Sequence, residues 1–299
     1  MSDRLADIDA RIDGIRQLGA VVNAMRGIAA ARAQQARAQL AAVDGYAATI
    51  AAAIGRALAA APEARADPGR RSSRPGLVVF VAEQGFAGAF SERVLESLGA
   101  DLTACELFLI GDRGRATAAE RGVVAGWNGA MPSHSQGVPR LAGEIAEALY
   151  RRIAKGGIDQ LDAVFSEWRP GHGVHVERRR LFPFDLSAVP RMRDANPPLL
   201  NLDPVVLLGA LTADYVYAQL CNAALHAFAA ENEARMEAMA AARSQIERQL
   251  ASLQATQRQV RQEEITAEII ELAAGETASR SGGRGRRSDE SEGIGDGAR

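Results

Sequence analysis

Between Ala210 and Ala274 the sequence holds neither Gly nor Pro. Those are the two strongest helix breakers, so the stretch predicts one long helix. Its apolar positions carry a seven-residue rhythm. Leu225, Met239, Ile246, Leu253 and Val260 fall seven or fourteen residues apart, with Asn232 on the same register. Met236 and Leu250 stand on the neighbouring register. A sustained heptad seam predicts a partner helix and a left-handed supercoil. The partner is found at the start of the chain. Ile8, Ile12, Ile15, Gly19 and Val22 step by four and three, and Ala29, Ala33 and Ala36 continue the stripe with side chains small enough for close approach. Gly14, Gly19, Gly27, Gly45 and Gly55 each cost this helix up to about 1 kcal/mol against Ala, which packing has to offset.

The rhythm changes in the middle. Leu77 to Val81 is a continuous apolar run and reads as a buried strand, followed by a Gly-rich turn from Glu83 to Phe90 and a helix from Ser91 to Leu98. Leu107 to Ile110 predicts a second strand, Gly111-Asp112-Arg113-Gly114 a turn, Arg115 to Arg121 a helix, and Val123 to Trp127 a third strand. Pro139 to Ala154 reads as a helix, with Pro139 in its first turn. Leu161 to Trp168 and Val174 to Phe182 read as a strand pair joined at Arg169-Pro170-Gly171. Alternating strands and helices predict a small Rossmann-like α/β domain with a largely parallel sheet. The expected organisation is an N-terminal coiled-coil helix (residues 3–61), a linker marked by Pro62 and Asp67 to Gly76, and an α/β domain (76–196). Pro183, Pro190, Pro197, Pro198 and Pro204 predict an irregular return to the C-terminal coiled-coil helix (205–274). The polar tail (275–299) has the composition of a disordered segment. The fold class is an antiparallel coiled coil of the two terminal helices with an inserted α/β domain.

Composition narrows the function without naming it. A net charge of −2 and a pI near 6.2 provide no bulk attraction to nucleic acid or an anionic membrane. Lys155 is the only lysine among 35 basic residues, a bias shared with the abundant Ala and more in keeping with genome composition than with function. Cys105 and Cys221 are isolated, which predicts reduced thiols rather than a disulfide framework. Met1-Ser2-Asp3 leads into charged periodic sequence with no signal-peptide core, and no continuous apolar run reaches membrane-span length. Direct membrane insertion is not expected.

Candidate chemistry is sparse. Glu83-Gln84-Gly85-Phe86-Ala87-Gly88 stands between strand and helix, where a phosphate loop would be. It lacks the Gly-Lys-Ser/Thr ending of a P-loop and the three-Gly dinucleotide pattern, so it reads as a tight turn. His172 and His175 have a spacing open to metal ligation, but no Cys lies near them and a solvated pair is expected. Asp159, Asp162 and Glu167 form no recognisable catalytic dyad. No catalytic residue, cofactor or metal is assigned. Three classes of function remain: a non-catalytic mechanical element, a coiled-coil scaffold that self-associates through its seam, and a small-molecule enzyme built on the α/β domain.

The two ends together resemble the γ subunit of F-type rotary ATP synthases. Arg11-Ile12-Asp13-Gly14-Ile15, Asn23-Ala24-Met25-Arg26 and Ile28-Ala29-Ala30-Ala31-Arg32 look like the family's opening helix. Glu231 with Ala234-Arg235-Met236 and Ala238-Met239 is similar to its most recognisable helix motif. Arg261-Gln262, Ile265-Thr266, Glu268-Ile269 and Glu271 match its terminal pattern. The chain departs from the family at Glu83 to Gly88, where Asp-Arg-Gly-Leu-Cys-Gly is usual, and at Arg243-Ser244-Gln245, where Thr-Asp-Asn is usual. These departures suggest a divergent or alternative F-type ATPase.

The resemblance implies a rotor shaft turning inside a ring of three α and three β subunits. Its α/β domain would lie against the ε subunit and the membrane rotor ring, on the cytoplasmic face of a bacterial inner membrane. It nominates Met25, Arg26, Arg261, Gln262 and Thr266 as contacts with β. Ile12, Ile15, Val22, Met236, Met239, Ile246, Leu250, Leu253 and Val260 are expected to pack between the helices.

Overall fold

A computed structural model describes the backbone of residues 2–60, 75–183 and 200–285, with side chains over 4–59, 75–183 and 200–276. The long helices are α1 (Ser2–Ala60) and, at the other end, α6 (Pro204–Gly285). Pro204 lacks only an N–H that a first helical residue leaves unpaired. The preceding Asp203 caps the helix, its Oδ1 accepting the N–H groups of Val205 at 2.9 Å and Val206 at 3.3 Å.

The far end of α6 departs from expectation. The helix passes Gly275, the first residue of the expected disordered tail, and runs to Gly285. A single Gly costs about 1 kcal/mol, too little to end a helix whose next residues, Glu276 to Ala278, are tolerant of helix. Residues 286–299, most of the linker and Pro190, Pro197 and Pro198 lie outside the described residues.

Between the long helices come β1 (Gly76–Phe80), α2 (Phe90–Leu98), α3 (Asp101–Ala104), β2 (Glu106–Ile110), α4 (Asp112–Glu120) and β3 (Trp127–Gly129). A 3-10 turn (Ser135–Gly137) leads into α5 (Val138–Ala154), then β4 (Leu161–Arg169) and β5 (Gly173–Phe182). The sheet order is β3-β2-β1-β4-β5, parallel except for β5. The chain moves outward from β1 to β3 and then crosses through α5 to the far side of β1. The strand order therefore reverses between β1 and β4.

Two local expectations are corrected. Asp112, Arg113 and Gly114 form the first turn of α4 rather than a free turn. Gly111 at φ 119° allows this, because a Cβ there would stand 2.4 Å from the carbonyl oxygen of Val81. The third strand begins at Trp127, not Val123. Val123 instead closes the end of α4, its N–H donating to the Ala118 carbonyl at 3.0 Å, and Val124 is left exposed.

Packing divides the chain into two units, Met1–Val22 with Ala242–Arg299, and Asn23–Ala241. In the first, the two terminal helices meet. Ile8, Ile12 and Val260 form a buried cluster with Leu5, Leu250 and Leu253 against it, and a Cβ on Gly19 would touch the Ile246 side chain at 3.4 Å. In the second, the sheet is covered on both faces, which is why its inner strands read as continuous apolar runs. Leu77 and Val79 face α2 and α4, with Val94, Leu95 and Ala118. Val78 and Phe80 face α5 and α6, with Ile145, Leu149, Leu220 and Ala224, and Ala36 of α1 joins them. Along the helices Val22, Met239 and Ile246 are also buried, while Ile15, Met236, Leu250 and Leu253 are half-buried. Both long helices contain stretches long and apolar enough to cross a membrane by length and composition. Alanine supplies much of that hydropathy without making a continuous apolar run, which is why the bare sequence does not read as a membrane span.

Candidate functional site: the strand ends and the long helix

In a doubly wound sheet, ligands bind outside the carboxyl ends of the strands where the strand order reverses. Here that place is filled by side chains of α6. The two oxygens of Glu231 accept the backbone N–H groups of Glu83 and Gln84, each at 3.1 Å. Arg235, one turn along, contacts Glu231 at 2.5 Å and donates to the carbonyl oxygens of Gly85 at 3.2 Å and Gln84 at 3.3 Å, and to Asn232 at 3.1 Å. Both charged side chains are about 5% exposed, so the pair is buried and its remaining polar atoms are supplied by the loop.

A second carboxylate continues the arrangement. Glu83 Oε2 accepts the N–H of Met131 at 2.8 Å and of Asp112 at 3.1 Å. Asp112 begins α4, so the Glu83 charge stands at a helix N-terminus, where backbone donors and the helix dipole favour an anion. Glu83 follows β1, Asp112 follows β2 and Met131 follows β3, so one side chain ties three strand ends together. Main-chain donors that a phosphate would use in a nucleotide-binding relative of this fold are met by carboxylates of the chain itself. Phe86, at φ 63°, carries the loop around the contact with its ring exposed.

Two further links join α1, α6 and the sheet. Arg37 of α1 pairs with Glu233 of α6, and its guanidinium lies 4.8 Å from the centre of the Trp168 ring at the end of β4. Asn222, buried on α6, donates to Asp44 of α1 at 2.7 Å and accepts from Arg179 of β5 at 2.7 Å. Polar side chains thus fix both long helices to the α/β domain at several heights.

The residues nominated for partner contacts are available at the surface. Arg26, Arg261, Gln262 and Thr266 are exposed and Met25 is half-buried; the Thr266 hydroxyl donates to the Gln262 carbonyl at 2.8 Å. His172 and His175 do not share a site. His172 turns toward the Pro170 carbonyl at 3.2 Å, and His175 faces Glu167 across the strand pair. Of the closed crevice, sequence reasoning found the motif around Glu231 and the loop at Glu83 but not the bond between them. The loop's departure from the family pattern was the available signal.

Two long paired helices with an inserted α/β domain, whose strand-end donors are met by the chain's own carboxylates, give the architecture of a stalk protein. The chain belongs to the ATP synthase family, whose sequence profile matches residues 4–278. Relatives called ATP synthase gamma chain include one from Streptomyces griseus, 29% identical over 222 residues, spanning 69% of this chain and 72% of that one. Another, from Streptomyces avermitilis, is 27% identical over 297 residues, spanning 93% and 97%. A chain in the Euglena gracilis mitochondrial ATP synthase structure of OSCP, F1 and c-ring has a TM-score of 0.62 over 100% of both chains at 12% identity. One from the Tetrahymena thermophila central stalk and c-ring has a TM-score of 0.54, covering 74% of this chain and 99% of that one at 14% identity. At such identities the structural likeness is one of fold.

Proposed function

We propose that this chain is the central rotor shaft of an F-type ATP synthase. It is a non-catalytic subunit that couples ion-driven rotation of a membrane ring to ATP synthesis or hydrolysis at β subunits. The observation that carries the reading is the pairing of the chain's own two ends, with α1 and α6 packed along a heptad seam and an α/β domain inserted between them. A long helix with few breaks resists bending, and a second helix along its seam stiffens it further. The buried bonds from Glu231, Arg235 and Asn222 are suited to carrying torque from the α/β domain into the helices. Met25, Arg26, Arg261, Gln262 and Thr266 make the reversible contacts with β, and the α/β domain (76–196) meets the ε subunit and the membrane ring. The complex works on the cytoplasmic face of a bacterial inner membrane.

Co-expression with α and β subunits from the same genome tests this. A complex with one copy of this chain per three α–β pairs, whose ATPase activity needs the chain, is the expected result. A chain that stays apart from them, or forms homodimers, would replace the shaft with a self-associating scaffold.

A further inference from the structure

Glu167, His175 and Glu177 bring their ligand atoms within 4.8 Å of one another. Sheet register does this. Glu167 on β4 pairs directly with His175 on β5, and Glu177 lies two residues farther along β5 on the same face. His226 reaches in from α6, its Nδ1 4.0 Å from Glu167 Oε1 and its ring stacked on Phe165 with centroids 5.8 Å apart. His175 Nε2 lies 3.7 Å from Glu167 Oε2, is shielded from solvent and has no hydrogen-bond partner.

We propose that Glu167, His175, Glu177 and His226 form a binding site for a divalent transition-metal ion, zinc being the best match, that stitches the β4–β5 hairpin to α6. Ligand atoms each about 2.0–2.2 Å from a tetrahedral zinc ion stand about 3.3–3.6 Å apart. The two His–Glu167 separations, 3.7 Å to Oε2 and 4.0 Å to Oε1, approach that spacing, and a small turn of the carboxylate presents one oxygen to both imidazoles. Two imidazoles and two carboxylates suit zinc, whereas calcium and magnesium prefer all-oxygen surroundings.

The charges also balance. Arg169 now attends both carboxylates, its Nη2 lying 2.9 Å from Glu167 and 3.9 Å from Glu177. Its side chain sits at the hairpin turn and is 53% exposed, so it has a free path to solvent when a divalent ion takes over the two negative charges. The ligands stand on two paired strands and a packed helix, the rigid supports a metal site needs.

The test is a titration of the full-length, chelator-stripped chain with Co2+ and then Zn2+. One equivalent of Co2+ should develop the intense visible absorption of a tetrahedral site, and one equivalent of Zn2+ should abolish it. His175→Ala and Glu167→Gln, checked for intact helices by circular dichroism, should each weaken binding by about 10–100-fold or more, since even outer-shell changes have that effect. His172→Ala should bind as the unaltered chain does, and Arg169→Ala more tightly because it removes the competitor. Absence of stoichiometric binding, unaltered affinity in His175→Ala, or weaker binding in Arg169→Ala would overturn the site.

Discussion

The carboxylate of Glu231 accepts the backbone N–H of Glu83 at 3.1 Å, while the carboxylate of Glu83 accepts the N–H groups of Asp112, which opens α4 after β2, and of Met131, just past β3. Two acidic side chains therefore stand in relay, from the long helix to the loop and from the loop to the strand ends. Removing one partner of a buried, hydrogen-bonded ion pair leaves the other uncompensated and costs about 3–5 kcal/mol. Glu231→Ala and Arg235→Ala should each destabilise the chain by that order in urea unfolding. The double variant should cost clearly less than the sum, because the two groups share one network. Additive losses would mean that the two act independently.

Three glycines of α1 differ sharply from Gly114 of the α/β domain. A Cβ on Gly14, Gly27 or Gly45 meets nothing within 4 Å, so Ala at each should stabilise the isolated chain by up to about 1 kcal/mol. A Cβ on Gly114 would come 2.3 Å from the Val81 Cβ, and Gly114→Ala should cost about 1–3 kcal/mol by overpacking. Thermal midpoints of the four variants decide the matter.

Part of the alkaline loss of stability is expected from Cys221, buried on α6, and the half-buried Tyr217 beside it. Burial pushes the Cys221 thiol from 9.0 up to about 11 and the neighbouring Tyr217 hydroxyl from 10.0 up to about 12. In the unfolded chain these groups ionise at their ordinary, lower values, so between the two sets of values the folded chain holds protons that the unfolded one has released. Their contribution is complete below about pH 9 and is lost as pH rises through about 11 to 12. The urea midpoint should fall over that window, and Cys221→Ala should flatten part of the fall.

Arg261 and Gln262 are exposed, and neither substitution creates a cavity. Arg261→Ala and Gln262→Ala should leave the chain's own stability within about 0.5 kcal/mol. If these side chains meet β, ATP hydrolysis by the assembled complex should drop all the same. Full activity in both variants would remove them from the list of contacts.

The repeating features of the fold were legible in the sequence. The heptad seam from Leu225 to Val260 and the alternation of strands and helices are periodic, and periodicity survives without coordinates. The strand at Val123 was misplaced because an apolar triplet beside a turn has no period long enough to fix its role. The relay from Glu231 to Glu83 joins residues far apart in sequence through backbone N–H groups, which carry no residue-type signal. His175 was paired with His172 by spacing along the chain. Its real neighbour, Glu167, becomes visible only when the hairpin register is known, since opposite positions on two strands have no fixed sequence separation.

Filling the strand-end crevice with Glu83, Glu231 and Arg235 also insulates the molecule from its surroundings. A part that turns beside nucleotide-processing sites works in a bath of ATP, ADP and phosphate. Had its α/β domain kept open seats for phosphate, every swing in the cell's energy state would have loaded or unloaded the moving part. With carboxylates already seated there, the backbone donors at these strand ends are taken, and phosphate would have to displace Glu231 or Glu83 to reach them.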